Sequence, residues 1–338
     1  MKKQFFLLFL FVCGLFSAQK LTIDTLLTDD ISIRAIQISQ GKVWYAGTQS
    51  KFGFVDVENP DNKQQISLSE ENLQFRTLAQ NEDFLFCISI ESPAYMFKIN
   101  KKDLKFKKVF VDEESSAFYD AFIFINNERA FAFSDSDNGK MKLLETQDAG
   151  EKWNFSTAFE NIPMIKGEAA FAASNSNIAA RNGKLWIATG GTTARVFKFD
   201  LNKNKSEVFS TPIIQGGSSR GIYSIDFADE NFGIAVGGDY TKQKENVNNI
   251  ATTQDGGKTW QIQASGENGG YMTCVKIKPE SQGKEIIALG DQQISYSNDY
   301  GKTWKVISNE KNLYVCEWLN SSTLIVAGKD RILKISIE

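Results

Sequence analysis

The chain has 338 residues, of which 42% are hydrophobic and 23% are charged, with a formal net charge of −3. A charge this close to balance gives no electrostatic attraction for nucleic acid or an anionic membrane, so we expect neither as a partner. The sequence contains no histidine, which excludes Ser–His and Cys–His nucleophilic catalysis and histidine-ligated metals. We therefore expect no metal, and any catalysis has to use Asp, Glu, Tyr, Lys or Arg.

The first 19 residues have the pattern of a cleaved signal peptide. Lys2 and Lys3 precede an apolar run of 12 residues (5–16), and small residues follow it up to Ala18. This order is typical of a secretory signal, and the run is too short to span a bilayer of about 30 Å as a helix. We predict cleavage after Ala18 or Gln19 and export to the periplasm or the extracellular space.

The cysteines give little evidence for a disulfide framework. Cys13 lies inside the apolar run and follows Val12, where a lipoprotein signal has a small residue, so lipid anchoring is the less favoured alternative. Cleavage leaves Cys87, Cys274 and Cys316, and an odd number means that at least one thiol is unpaired in a monomer. We interpret all three as small buried strand residues. No other apolar run is long enough to cross a membrane.

Short apolar segments recur through the rest of the chain. Each follows another strand-like segment, such as residues 33–39 or 222–228, and most precede a hairpin of two further strands. The seven segments are 44–47, 84–89, 129–134, 185–190, 233–238, 285–290 and 323–328. A unit of four short antiparallel strands in roughly 35–55 residues is a propeller blade. The pattern predicts an all-β protein, a seven-bladed β-propeller over residues 20–338.

The last repeat lacks its outermost strand. Residues 331–337 form a strand without a partner in the following sequence, whereas residues 21–26 alternate as a half-buried strand should. We predict that this N-terminal strand pairs in the last blade, because such closure removes an unpaired sheet edge.

A turn motif of the form Ser/Thr-x-Asp-x-Gly-x-x-Trp occurs three times. Its aspartate is expected to accept hydrogen bonds from turn amides, its glycine to adopt a backbone conformation that is costly for other residues, and its tryptophan to pack under the hairpin. We interpret these residues as structural rather than catalytic or metal-binding. They are Asp148, Gly150 and Trp153, then Asp255, Gly257 and Trp260, then Asp299, Gly301 and Trp304.

At these turns the chain resembles the bacterial-neuraminidase-repeat (BNR) or Asp-box propellers. That fold group includes sialidases, xyloglucanases, sortilin-type receptors and photosystem II stability/assembly factor-like proteins. The chain is also similar to secreted propellers, often of Bacteroidetes type, that are loosely named oxidoreductase or glycosyl hydrolase. The matching stretches are 33–36, 43–48, 92–95, 118–122, 167–174, 218–223 and 237–240. The resemblance implies a binding or assembly propeller, and the turns indicate the fold rather than the function.

The chain departs from two of these groups. The sialidase pattern is a six-bladed ring with an arginine triad, whereas seven blades are predicted here. At the position of the sialidase motif Phe-Arg-Ile-Pro, this chain has Arg34 in Ile-Arg-Ala-Ile. No Gly-x-Gly-x-x-Gly follows a strand and opens a helix, so there is no dinucleotide fingerprint and we expect no cofactor.

One face of the predicted ring carries the candidate binding residues. The Asp-box turns lie on one face, so the loops that enter the first strand of each blade and leave the second lie on the other, where loops on a rigid scaffold bind ligands. Two of these loops are long, 159–177 and 241–249, and the first is rich in small residues. The residues that map to this face are Arg34, Thr48, Arg76, Glu91, Tyr119, Asp120, Asp135, Asp137, Glu168, Arg195, Arg220, Asp239 and Tyr240.

We favour a non-catalytic, monomeric scaffold that binds a protein or glycan partner on this loop face. Arg34, Glu168, Arg220 and Asp239 are the residues expected at the contact.

The alternative is a glycan-active hydrolase of sialidase or xyloglucanase type. Two carboxylates held about 5–10 Å apart can hydrolyse a glycoside. The acid pair would come from Asp120, Asp135, Glu168 and Asp239, with Asp120, Glu168 and Asp239 as the catalytic candidates.

Overall fold

The computed structural model describes residues 21–135, 139–156 and 162–337. The signal peptide predicted for residues 1–19, the candidate Asp137 and the start of the loop 159–177 lie outside these residues. Within them the fold is all-β, with one 3-10 helix, Tyr240–Lys242. The described part of the chain contains no helix that is long and apolar enough to span a membrane.

The strands follow one another along the chain. The first twelve are β1 (Leu21–Ser39), β2 (Lys42–Gly47), β3 (Lys51–Asp56), β4 (Lys63–Ser67), β5 (Ala79–Gln80), β6 (Phe84–Ile88), β7 (Ala94–Asn100), β8 (Phe106–Asp112), β9 (Tyr119–Phe124), β10 (Ala130–Ser134), β11 (Lys142–Thr146) and β12 (Asn154–Phe155). The next ten are β13 (Glu168–Ala169), β14 (Ile178–Arg181), β15 (Lys184–Ala188), β16 (Gly190–Gly191), β17 (Arg195–Asp200), β18 (Lys205–Ser210), β19 (Arg220–Phe227), β20 (Gly233–Asp239), β21 (Ile250–Thr253) and β22 (Gln261–Ile262). The last six are β23 (Cys274–Ile277), β24 (Ile286–Gly290), β25 (Gln293–Ser297), β26 (Lys305–Ser308), β27 (Leu313–Trp318) and β28 (Thr323–Ile337).

These strands form a β-propeller with six blades, so the predicted count of seven is wrong. Four of the sheets have four strands each, β5-β6-β7-β8, β12-β11-β10-β9, β14-β15-β17-β18 and β23-β24-β25-β26. The other two have six, β13-β16-β19-β20-β21-β22 and β27-β28-β1-β2-β3-β4. The difference lies in β1, which runs unbroken for 19 residues and pairs first with β28 and then with β2. The units predicted as the first and last blades therefore share one sheet.

The two ends of the described chain close the ring. Leu21 lies opposite Ile337, and the antiparallel pairing continues to Thr28 opposite Arg331. The predicted pairing of the N-terminal strand with the C-terminal strand is thus confirmed. The inner strands of successive sheets contact one another in chain order around a common axis, and this arrangement defines a central channel.

Burial decreases from the axis to the rim. The second strands are buried along almost their whole length, as in β15 and β24, whereas the outermost strand β4 exposes most of its polar side chains. Because inner strands are covered on both faces, they are continuously apolar rather than alternating. Aromatic side chains fill the space between sheets, and the ring centroids of Phe86 and Trp153, which belong to neighbouring sheets, are 6.1 Å apart. Each fully buried ring of this kind stabilises the fold by about 2–3 kcal/mol.

The repeated turns join the third and fourth strands of three sheets. In the turn after β21, Asp255 Oδ1 accepts hydrogen bonds from the Thr259 amide at 2.9 Å and the Thr253 hydroxyl at 2.8 Å. Trp260 Nε1 donates to the carbonyl of Gly257 at 2.9 Å. The other two turns have the same bonds. Asp148 accepts from the Lys152 amide and Asp299 from the Thr303 amide. Trp153 and Trp304 donate to the carbonyls of Gly150 and Gly301. Since neighbouring strands are antiparallel, these turns and the loops that leave the second strands lie at opposite ends of the sheets.

Candidate functional site

A segment of small residues fills the centre of the ring. Residues 171–177, which we call the plug, contact several sheets at once. Ala173 O accepts a hydrogen bond from Arg34 of β1 at 3.1 Å, and Ser174 Oγ donates to Thr273 O at 2.6 Å. Ser176 Oγ lies 2.7 Å from Ser224 Oγ of β19. Small side chains are needed here because the inner strands converge on the axis, and the plug closes the channel.

Asn175 fixes the plug on its other side. Its Nδ2 donates to Leu78 O at 2.9 Å and to Phe122 O at 3.2 Å, while its Oδ1 accepts from the Phe122 amide at 2.8 Å. Its backbone is left-handed, with φ 57°, a conformation that asparagine adopts more readily than most residues. The side chain thus replaces backbone pairing between two sheets that do not pair with each other.

A cleft of about 470 Å³ lies directly over the plug. This volume is in the range of sites that hold small ligands or side chains of a partner. The start of the plug forms its floor, and loops from several sheets form its walls. Its lining residues are Arg34, Arg76, Phe118, Asp135, Ala169, Ala170, Phe171, Ala172, Ala173, Ser218, Tyr223, Tyr240, Gln243, Tyr271 and Asp291.

A larger groove of about 790 Å³ lies on the opposite face. Tyr300, Lys302, Gln254 and Asn231 are among the residues that line it, and they lie in turns between successive strands. These turns belong to two neighbouring sheets, whereas several sheets converge on the cleft. We therefore regard the cleft as the candidate site.

Two arginines line one side of the cleft. The guanidinium of Arg34 lies 4.1 Å from the centroid of the Tyr314 ring, a cation–π contact. Burial lowers the pKa of Arg76, the nearby charge of Arg34 lowers it further, and Glu91 and Asp120 act in the opposite direction. Two neighbouring positive charges in the cleft wall are a contact for a negatively charged or carbonyl-rich group.

Aromatic rings form another part of the cleft wall. Phe171 of the plug stacks on Tyr223, with centroids 4.0 Å apart, and Tyr271 packs edge-on against Tyr223 at 4.8 Å. Tyr240 extends from the 3-10 helix and is 52% exposed. Rings that present one apolar face and one hydroxyl are well suited to contact a partner's side chains.

Asp120 and Asp135 form an acid pair beside the cleft. Asp120 is fully buried, and the groups that act on its carboxyl are Asp135, Arg76 and the Ala172 amide. Burial raises its pKa strongly, and the adjacent Asp135 raises it further. Asp135 accepts a hydrogen bond from the Ala170 amide at 2.9 Å, and burial raises its pKa to about 6. Two adjacent carboxyls can bond to each other only through a proton, and this contact raises the pKa of Asp120 while it lowers that of Asp135.

Asp291 is a second carboxyl in the cleft. Burial raises its pKa, while Arg34 and a hydrogen bond from Gln243 Nε2 at 3.0 Å lower it. Asp291 follows Gly290 at the end of a second strand, as Asp239 follows Gly238. Residues at this position of the repeat are predicted to lie on the loop face. The mapping that selected Asp239 could therefore also have selected Asp291. Tyr223 and Tyr271 lacked a comparable sequence signal because they lie within or before apolar strands.

The structure places Glu168 and Arg195 in a buried ion pair. Arg195 Nε donates to Glu168 Oε1 at 2.9 Å, and the Thr189 hydroxyl donates to the same oxygen at 2.6 Å. The Glu168 side chain has no exposed area. Both residues were candidate ligand contacts, but neither lines the cleft.

Asp239 and Arg220 are also paired, at 3.0 Å between Oδ2 and Nε. Asp239 caps the 3-10 helix by accepting from the Thr241 amide at 3.0 Å. Burial acts to raise its pKa, but hydrogen bonds from Thr241, Arg220 and Ser219 outweigh it and lower the pKa to about 2. A carboxylate held ionised in this way is a poor general acid.

The remaining candidates fall into two groups. Two of them do not line the cleft. Tyr119 is fully buried, and its hydroxyl donates to Asp112 at 2.9 Å. Glu91 is exposed and lies near Arg76. Arg34, Asp135 and Tyr240 line the cleft, with Asp120 behind Asp135. The described residues contain no group of three or more Cys, Asp or Glu side chains positioned to hold a metal ion.

These features define a β-propeller with a plugged channel and a polar, partly aromatic cleft. No family model matches the sequence, and no curated protein matches it either. Among solved structures the chain is similar to "YCF48 bound to D1 peptide", with a TM-score of 0.66 and 11% identity over 96% of this chain and 98% of that chain. It is also similar to "YCF48 from Cyanidioschyzon merolae" (TM-score 0.63, 14% identity, 95% and 98% covered). A third similar structure is the "RRP9 WD40 repeats" propeller (TM-score 0.63, 11% identity, 94% and 97% covered). At these identities the likeness shows the fold.

Proposed function

We propose that this propeller is a non-catalytic scaffold that binds a protein partner through the cleft over the plug. The observation that carries the proposal is the composition of the cleft, which two arginines, two carboxyls and five aromatic rings line. Tyrosine and arginine are the residues enriched where one protein contacts another. The similar YCF48 structure contains a bound D1 peptide, and a propeller of the same architecture with a bound peptide supports this use of the fold.

A rigid site favours binding. The plug is held by hydrogen bonds to β1, β9 and β19, so the cleft floor needs no ordering when a partner arrives. Binding to a preformed surface avoids part of the entropy cost of association. A partner segment that extends over the rim would also meet the exposed ring of Tyr240.

Site-specific photocrosslinking in cells tests the proposal. A photoreactive phenylalanine analogue replaces Tyr240 in the cleft, and in a matched chain it replaces Tyr300, which is 40% exposed on the opposite face. We expect a discrete protein adduct from position 240 that is absent from position 300. The adduct should be lost when Arg34 and Arg76 are both changed to alanine. Equal adducts from both positions, or none from position 240, would contradict a protein site at the cleft.

We propose a glycan-active hydrolase as the second candidate, because Asp135 lines the cleft and its pKa is raised to about 6. A carboxyl with such a pKa can donate a proton near neutral pH. Purified chain incubated with a panel of polysaccharides should then release reducing ends, and Asp135→Asn should abolish the release. The scaffold proposal expects no release from either chain.

We further propose export, on the basis of the basic start and the apolar run 5–16. N-terminal sequencing of the chain recovered from outside the cytoplasm should begin at Gln19 or Lys20. Recovery of an uncleaved chain from the cytoplasm alone would contradict it.

A further inference from the structure

Two of the three described cysteines lie side by side. Cys274 is on β23 and Cys316 is on β27, and both are fully buried. Their sulfur atoms are 3.8 Å apart. Both belong to the same apolar cluster, whereas Cys87 lies in a different one between other sheets. The topology therefore brings together one pair of thiols and separates the third.

The two sulfur atoms are in van der Waals contact. Cys316 Sγ donates a weak hydrogen bond to Cys274 Sγ, and Ser176 Oγ of the plug approaches Cys274 Sγ at 3.7 Å. A disulfide needs about 2.05 Å between sulfurs, so the remaining approach is less than about 2 Å. Because β23 and β27 already pack against each other, rotation of the side chains can supply most of this movement.

We propose that Cys274 and Cys316 form a disulfide when the chain folds under oxidising conditions, and that Cys87 remains a free thiol. Both partners are fully buried in the folded ring. The oxidant, a small disulfide or a dithiol oxidase, therefore reaches them before the ring closes or when it opens locally.

The chemistry is ordinary thiol–disulfide exchange. The Cys274 thiolate attacks one sulfur of an oxidant disulfide, forms a mixed disulfide and displaces the first oxidant thiolate. The Cys316 thiolate then attacks the Cys274 sulfur and displaces the second, so two protein thiols are oxidised and one oxidant disulfide is reduced to two thiols, which take up the two protons.

Cys274 is the better first nucleophile of the two. Burial acts to raise the pKa of Cys274, but the hydrogen bond from Cys316 and the charge of Lys276 outweigh it and bring the pKa to about 7. Burial raises the pKa of the Cys316 thiol well above its usual value. The thiolate is the reactive form, so Cys274 attacks first when the oxidant enters by local opening of an otherwise folded ring.

The bond would tie two parts of the ring together. It links the sheet β23-β24-β25-β26 to the sheet that contains β27, β28 and β1, where the two ends of the chain pair. The two cysteines are 42 positions apart. A cross-link over such a distance restricts the unfolded chain and stabilises the fold.

Refolding in a redox buffer with peptide mapping tests the proposal. The full chain carries Cys13→Ser, is unfolded and reduced, and is refolded in a mixture of reduced and oxidised glutathione. It is then quenched in acid, alkylated with N-ethylmaleimide under denaturing conditions and digested. We expect one linked peptide pair containing Cys274 and Cys316, one alkylated cysteine at Cys87 and an intact mass about 2 Da below that of the reduced chain before alkylation. The thermal midpoint should exceed that of the reduced chain by on the order of 5 °C.

Two variants separate this bond from others. Cys87→Ser should keep the linked pair, and Cys316→Ser should show no intramolecular disulfide. Three alkylated cysteines in the refolded chain, or any disulfide that includes Cys87, would overturn the proposal. If Cys316→Ser does not fold, the peptide map of Cys87→Ser shows whether the Cys274–Cys316 pair forms. The same map, made from folded chain incubated in the redox buffer, should contain the same linked pair.

Discussion

Phe171 lies flat against Tyr223, with ring centroids 4.0 Å apart and planes only 3° from parallel. One ring belongs to the plug and the other to β19. The stack therefore joins the floor of the cleft to its wall, and it couples the stability of the plug to the shape of the candidate binding site.

Phe171→Ala should remove this connection. We expect a loss of about 2 kcal/mol in the free energy of unfolding, because a partly buried aromatic pair is replaced by a space at the surface of the cleft. Urea denaturation measures the loss. Phe155→Ala is the control, since Phe155 is 41% exposed on the outer strand β12. A smaller effect at Phe171 than at Phe155 would contradict the role of the stack. The crosslink yield from position 240 should fall in Phe171→Ala alone.

Asn175→Ala should destabilise the ring by about 2–4 kcal/mol. It leaves the carbonyls of Leu78 and Phe122 and the amide of Phe122 without their partner, and each unpaired buried group is costly. Asn204→Ala controls for the left-handed backbone, because Asn204 has φ 51° and is exposed. Thermal unfolding of the two variants should differ by several degrees. Equal midpoints would mean that backbone conformation, not the bridge, is what Asn175 supplies.

Glu168→Ala should cost about 3–5 kcal/mol, since it leaves the guanidinium of Arg195 buried without its counter-charge. A double-mutant cycle with Arg195→Ala isolates the interaction, and the double variant should be more stable than the sum of the single losses predicts. Strict additivity in urea denaturation would show that the ion pair is not the cause. If Glu168 were instead a catalytic acid, Glu168→Gln would abolish activity without lowering stability.

The acid pair should make stability depend on pH. Burial raises the pKa of both Asp120 and Asp135, the charge of Asp135 raises that of Asp120 further, and the charge of Glu168 acts in the same direction on Asp135. The folded chain therefore retains protons that the unfolded chain has released. This contribution is fully present below the unfolded pKa of about 4. It is lost as pH rises toward and beyond about 6, the pKa of Asp135.

Asp120→Asn should weaken that dependence, because the amide can donate to Asp135 without titrating. Relative to the natural chain, the variant should gain about 1–3 kcal/mol between pH 4.5 and pH 7.5. Urea midpoints at both pH values measure the gain. Arg76 and Glu168, which also face the pair, are unchanged in the comparison. Parallel pH profiles for the two chains would exclude the shared proton.

Much of the fold could be predicted from the sequence. Apolar segments in groups of four predict radial sheets, and the alternation in residues 21–26 predicts the pairing of the two ends that Leu21 and Ile337 show. The number of blades could not be derived in this way. Repeats indicate units, but whether the first and last units share a sheet depends on the unbroken path of β1.

The candidate site was predicted only in part. Repeat positions placed Arg34, Arg76, Asp135 and Tyr240 on the loop face, and all four line the cleft. The partners of Glu168 and Asp239 could not be predicted, because Arg195 and Arg220 are 27 and 19 positions away and approach through the geometry of the loops. The long loop of small residues was recognised, but alternation patterns do not reveal that it fills the channel.

The contacts of the plug have a kinetic consequence. Arg34 and Ala173 are 139 positions apart, and Ser174 and Thr273 are 99 apart. Closing such long stretches of chain lowers the conformational entropy before the contacts that stabilise the closed form have been made. During folding this segment can find all its hydrogen bonds only after strands from both halves of the molecule have assembled around it. The cleft above it should consequently form late, and partly folded chains should be unable to bind the partner proposed for it.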